Sequence, residues 1–237
     1  MRRWKTWRTL LAALLLGLFA FLLYQFGLLV MVIWLSFRNP GSTAFIDAAR
    51  SELRIQGKEA SIARVWVDYD HISPHLKRAV VASEDSGFMA HSGVEWAAMR
   101  QAWAWNRQQA AEGSSRRRGG STITQQLAKN LFLSSSRSYR RKAQELILAL
   151  MLEVVMSKRR ILELYLNVAQ WGETTFGAQA AAQQHFGTSV AKLSAAQAAR
   201  LAAMLPNPRY YEEQGTTRFL TRHSQTLLRR MPQVDIP

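Results

Sequence analysis

Glu84 heads the run Glu84-Asp85-Ser86-Gly87-Phe88-Met89-Ala90-His91, and a carboxylate so placed is suited to moving a proton. Ser73-Pro74 is an N-cap followed by proline in the first turn, which predicts a helix from Pro74 to about Ser83. Glu84 then lies at the negative end of that helix, where ionisation is disfavoured. A general base or acid profits from such a site, although alone the segment reads more readily as an exposed acidic loop. A second run extends from Gly119-Gly120-Ser121-Thr122 through Thr124, Gln125 and Gln126 to Lys129-Asn130. It sets a glycine turn before a helix whose free N–H groups can receive phosphate. Gln125 and Lys129 share one face at i, i+4; in isolation this is a capped surface helix with a solvated lysine. Arg140, Arg141 and Lys142 begin a third helix, where cations oppose the dipole, and Glu145 lies in its first turns. Two readings stay open there. One is an ordinary Arg141–Glu145 pair worth about 0.2–0.5 kcal/mol; the other is a basic cluster facing an anionic ligand, with Glu145 at the edge of a dry core.

The elements that must position these residues are mostly helical. Ser92 and Glu95 predict a capping box opening a Trp-rich helix to about Arg107, with Trp96, Met99 and Trp103 on one stripe and Trp103 in the core. Thr122 with Gln125 marks another start, and Ser194 with Gln197 opens an Ala-rich helix that stops before Pro206. Leu146 to Met156 is apolar on every face except at Glu153, which predicts a central helix enclosed by the others. Arg64 to Tyr69 alternates as one short strand would, and the Ser/Arg run between Gly113 and Gly120 reads as mobile. His71 and His75 are expected at the surface, since Pro74 and the lack of an adjacent glutamate argue against a zinc helix.

Composition fixes the setting. Lys and Arg number 31 against 16 Asp and Glu, a formal charge of +15 that calls for an anionic partner. Cysteine is absent, so disulfides, zinc ribbons and thiol nucleophiles are excluded. Leu10 to Leu35 is an apolar run longer than the roughly 20 residues that span a bilayer. It exceeds the roughly 7–15 apolar residues of a cleaved signal peptide. Arg2, Arg3, Lys5 and Arg8 precede it, which keeps the N-terminus cytoplasmic, and Trp4, Trp7 and Trp34 flank it as interfacial aromatics do. The expected organisation is a basic N-terminus over 1–9, an anchor over 10–35, a connecting segment over 36–60 and a catalytic domain over 61–237. A membrane-tethered domain makes nucleic acid a poor choice of partner.

Taken with Arg141-Lys142-Ala143-Gln144-Glu145 and Lys158-Arg159-Arg160-Ile161-Leu162-Glu163-Leu164-Tyr165-Leu166-Asn167, these segments resemble the peptidoglycan glycosyltransferases. That family comprises monofunctional membrane-anchored enzymes and the polymerising domain of bifunctional penicillin-binding proteins. Four motifs stand in family order, supplemented by His185-Phe186-Gly187 and by Leu193 to Gln197 running into Leu205-Pro206-Asn207-Pro208. The departures are Ser86-Gly87 in the first motif and His185 where tyrosine is frequent. The resemblance covers roughly Val65 to Tyr211. It implies a mainly α, lysozyme-like head with a smaller membrane-apposed jaw, preceded by one transmembrane helix. It also implies that lipid II and a nascent glycan strand are the substrates, joined with inversion and release of undecaprenyl diphosphate.

By the same resemblance Glu84 is the base that takes a proton from the acceptor 4-hydroxyl, and Glu145 is the second functional carboxylate. Lys129 and Arg137 occupy diphosphate-binding positions, with Ser121, Thr124, Gln125 and Gln126 on the same segment. Asp85, Phe88, His91, Arg141, Lys142, Glu163 and Asn167 are expected to support the cleft. No cofactor is obligatory, and a divalent Mg or Mn ion near Glu84 and Glu145 is one role open to the second carboxylate. Trp103, Trp105, Leu131 and Phe132 are candidates for dipping into the membrane as the jaw, with burial preferred for Trp103. The family further implies inner-membrane localisation with the catalytic domain periplasmic, and other proteins of wall synthesis or division as partners. The single Ser-x-x-Lys match, Ser189 to Lys192, lacks the companion motifs of a transpeptidase. A lysozyme-like or lytic enzyme cutting the same polymer also needs an acidic cleft residue, but it has no use for cations that hold a diphosphate. A catalytically silent scaffold is the non-enzymatic alternative.

Overall fold

The computed structural model describes residues 2–114, 119–136 and 138–237, with side chains from Trp7 onward. The chain divides into two compact units, 1–39 and 40–237. The first is a single helix, α1 (Arg2–Phe37), in which Trp7–Phe37 is long and apolar enough to cross a membrane. Its 31 residues reach about 46 Å at 1.5 Å per residue, against a hydrocarbon core of about 30 Å.

The second unit contains ten α-helices among its described residues: α2 (Ala44–Ile55), α3 (Pro74–Glu84), α4 (Trp96–Ala111), α5 (Ile123–Phe132), α6 (Tyr139–Val155), α7 (Lys158–Val168), α8 (Ala178–Phe186), α9 (Ala195–Met204), α10 (Pro208–Gln214) and α11 (Arg218–Arg230). Serine or threonine side chains cap α2, α3, α5, α6, α7, α9 and α11, accepting an N–H of the first turn that the helix itself cannot satisfy. The capping boxes expected at Thr122/Gln125 and Ser194/Gln197 are both formed. The packing falls into two groups. In one, α9 lies against α3 and α11; in the other, α5 lies against α2, α6 and α7.

Several expectations are corrected. The Trp-rich helix starts at Trp96 with Glu95 at its cap and no side-chain cap bond, because Gly93, at φ +83°, cannot be the first helical residue after Ser92; its carbonyl accepts Thr122 Oγ1 at 2.6 Å instead. Trp103 stands 65% exposed, with the Arg107 guanidinium over its ring at 5.5 Å. Leu131, conversely, is buried in α5 and unavailable to a membrane. The enclosed helix is not α6, whose Leu150 and Val154 face outward, but α7, where every residue from Ile161 to Val168 except Glu163 is buried. The segment Arg64 to Asp68 forms no strand. Ala63 makes an isolated bridge to Thr175, and Val67 is paired instead by the Asn167 side chain, which accepts its N–H and donates to its C=O, each at 2.8 Å. One amide thereby supplies both hydrogen bonds of a neighbouring strand. His71 and His75 are exposed, as expected. Within the run read as mobile, 115–118 lie outside the described residues.

Candidate active site

Glu84 is the last residue of α3, and Asp85 is its C-cap. The two neighbouring carboxylates are used differently. Asp85 is buried and accepts the backbone N–H of Ile123 at 3.0 Å and a ring nitrogen of His91 at 2.9 Å. It therefore supplies the negative charge at the start of α5, and Thr122 Oγ1 takes the N–H of Gln125. The helix start expected to receive phosphate is thus occupied by the protein's own groups. Phe88 is fully buried below this turn, with Lys158 Nζ 4.5 Å from its ring centre and the His91 ring edge-on at 6.5 Å.

Glu84 borders a cavity of about 260 Å³ lined also by Asp85, Ser83, Glu95, Gln101, Ser121 and Arg230. Its Oε1 accepts the Ser83 hydroxyl at 3.0 Å and its Oε2 accepts Gln126 Nε2 at 2.9 Å. Burial pushes the Glu84 carboxyl above its ordinary value; the Gln126 and Ser83 hydrogen bonds and the Lys129 charge oppose this, and Asp85 adds to it. Gly120 permits α4 to close over the cavity, since a Cβ there would meet the Ala102 Cβ at 3.0 Å and the Met99 Cα at 3.1 Å.

Lys129 lies one turn beyond Gln126 on α5 and borders a second cavity of about 190 Å³ with Gln126, Tyr165 and Gln170. Burial lowers its pKa, Glu145 and Glu84 raise it, and Arg141 and Lys142 lower it. One lysine therefore feels both candidate carboxylates. Glu145 is buried on α6 and pinned by two cations of its own helix, Arg141 Nη1 at 2.6 Å and Lys142 Nζ, which also donates to Ser121 at 2.8 Å. The pair reading of Arg141 and Glu145 is thus realised, enlarged by Lys142. Both Glu145 oxygens are engaged with cations, and no group of three His, Asp or Glu side chains able to hold a metal ion occurs among the described residues. The donor set does not fit a divalent ion shared by Glu84 and Glu145.

The remaining expected residues divide by role. Gln125 is the buried N3 partner of the capping box, Oε1 accepting the Thr122 N–H at 3.0 Å, rather than a cleft group. Thr124 is buried and donates to Glu153 at 2.6 Å, which Lys158 also reaches at 2.9 Å. Glu163 accepts the Tyr69 N–H at 2.9 Å and pairs with Arg160 at 2.7 Å, so it and Asn167 hold the chain from Val67 to Tyr69. Arg137 lies outside the described residues. The structure adds Tyr165, whose hydroxyl is 3.0 Å from Gln126 Oε1, and Arg230, which reaches the Glu84 cavity from the end of α11. Tyr165 lies in the segment Lys158 to Asn167, between Glu163 and Asn167; Arg230 is one of many arginines, and nothing local in the sequence distinguishes it.

The family model described as Transglycosylase matches residues 52–232. Curated relatives match over almost the full length. A "Biosynthetic peptidoglycan transglycosylase" of Bordetella avium (strain 197N) is 55% identical over 236 residues, covering 99% of this chain and 98% of the relative. Proteins of the same name from Laribacter hongkongensis (strain HLHK9) and Methylobacillus flagellatus are 48% identical over 217 residues and 46% identical over 231 residues. They cover 92% and 98% of this chain, and 93% and 97% of their own.

Proposed function

The chain belongs to the transglycosylase family, and on that footing we propose how its residues extend a glycan strand in cell-wall synthesis. It is a peptidoglycan glycosyltransferase, and lipid II is the acceptor with the growing strand as donor. The acceptor 4-hydroxyl attacks the donor's anomeric carbon. A carbon–oxygen bond forms there with inversion, the bond to the diphosphate oxygen breaks, and undecaprenyl diphosphate departs.

A sugar hydroxyl is a weak nucleophile at neutral pH, so a positioned base contributes about 10²–10⁴-fold. Glu84 is that base. The observation that carries the assignment is its carboxylate, held by one hydrogen bond on each oxygen at the wall of a cavity, with Lys129 as a cation that interacts with it. Burial makes the carboxylate a stronger base than a solvated one, while the two donors favour its ionised form and orient it. The diphosphate is already an adequate leaving group, and its charge is what a buried cation stabilises. Lys129 takes this role. Glu145, held by Arg141 and Lys142, acts at one remove: its charge favours the charged form of Lys129, against burial and against those two cations. The apolar helix α1 anchors the chain in the membrane once, N-terminus cytoplasmic, so the catalytic unit meets lipid-linked substrate on the outer, periplasmic side.

Purified full-length protein given lipid II should yield long strands that a muramidase digests, and Glu84→Gln should lower the rate at least about 100-fold at matched folding. Release of soluble muropeptides from finished wall, or polymerisation undiminished in Glu84→Gln, contradicts this reading.

A further inference from the structure

Gln126 is gripped from two sides. Its Nε2 donates to Glu84 Oε2 at 2.9 Å, and Tyr165, almost fully buried on α7, places its hydroxyl 3.0 Å from Gln126 Oε1. An ionised carboxylate only accepts hydrogen bonds, so the amide presents its nitrogen to Glu84 and its oxygen to Tyr165, which is left to donate. The hydroxyl and amide dipoles then stand in series, each with its positive end toward the carboxylate, and each strengthens the other.

From this chain we infer that Tyr165 is a positioning residue for the transfer step, acting through Gln126 to fix Glu84 in the orientation and charge state that accepts a proton. The inference rests on Glu84 being the base. Other groups also face Glu84. Asp85 follows it in the chain and opposes ionisation, Lys129 on α5 favours it, and Glu95 at the cap of α4 and Arg230 at the end of α11 share its cavity. Ser83 donates to the other oxygen. The strongest influence is burial, which favours the proton-bearing form, and the Gln126 hydrogen bond, backed by Tyr165, works against it. Burial raises the phenol's own pKa far above its ordinary value, with Glu84 and Asp85 adding to the effect, so the hydroxyl keeps its proton wherever the enzyme works.

The test uses full-length Tyr165→Phe, which retains the ring and removes the hydroxyl, and Gln126→Leu, which removes the amide. With lipid II as substrate, each should lower kcat with little change in KM. Each should also move the acid limb of the kcat/KM profile upward by about half a pH unit. Adding Tyr165→Phe to Gln126→Leu should move the limb no further. A residue that merely packs would lower thermal stability and leave the limb in place. A limb unmoved in either single variant, or shifted by Tyr165→Phe equally in both backgrounds, overturns the inference. Glu84→Gln measured alongside keeps the two levels apart. Persistent polymerisation there removes the base assignment itself, whereas loss of activity there with an unmoved Tyr165→Phe limb removes only the tyrosine's role.

Discussion

Glu84 shows how function and stability oppose each other at one side chain. Its raised pKa means that, as pH climbs from the ordinary glutamate range through the raised value, the folded state retains a proton that the unfolded chain has already lost. Fewer protons on the unfolded state make stability fall across that window. Glu84→Gln removes this dependence. Its unfolding midpoint should match the parent's in acid and equal or exceed it at neutral pH, while its polymerase activity is lost; thermal unfolding from acid to neutral pH checks the divergence. The start of α3 was legible because Ser73 and Pro74 mark it, whereas the role proposed for Glu84 came from the resemblance of its motif to the family. The division of labour between Glu84 and Asp85 was not, since it depends on Ile123 and Gln126, some forty residues away. Gln125 and Gln126 are adjacent and identical in type, yet the box turns the first inward and leaves the second to face Glu84. No spacing rule separates them.

At the scale of the element, α5 is ordered at its start by Asp85 together with Thr122. Asp85→Ala would strand the Ile123 N–H and His91 in a buried place, at a cost of about 3 kcal/mol. The same change uncovers the positive end of a helix. Sulfate should therefore raise the thermal midpoint of Asp85→Ala more than that of the parent, in a titration that holds ionic strength constant with chloride. Equal shifts would mean that the helix start does not accept an anion even when vacated. Capping boxes at Thr122 and Ser194 were readable because both partners lie within one turn. Ser92 failed because Gly93, the residue after it, takes a left-handed backbone, its carbonyl accepting a bond from Thr122 far away in the chain. The central helix was misjudged for a related reason. In the first turn of α7 the Arg159 side chain meets Asp70 at 2.5 Å and Arg160 reaches Glu163, so these charges do not prevent the rest of the helix from being enclosed. Apolar composition all round α6 described its sequence, not its surroundings.

At the scale of the molecule, the membrane-capable α1 and the excess of positive charge were visible from composition alone, because length and charge require no knowledge of packing. The seam between the two helix groups was not. Glu84 belongs to α3, with α9 and α11 behind it, whereas Gln126 and Lys129 belong to α5, with α2, α6 and α7 behind it. Beside the active-site carboxylates the bridges across that seam are polar, Gln126 to Glu84 and the Ile123 N–H to Asp85, while α8 packs against both α7 and α9. Water and denaturant compete for polar bridges more readily than for interlocked apolar surface, and a base displaced by even 1 Å loses most of its effect. Titrated with urea, the enzyme should fall silent at concentrations that leave its far-ultraviolet helical signal intact. Its chemistry would then act as a strain gauge, registering a loosened joint before any helix melts.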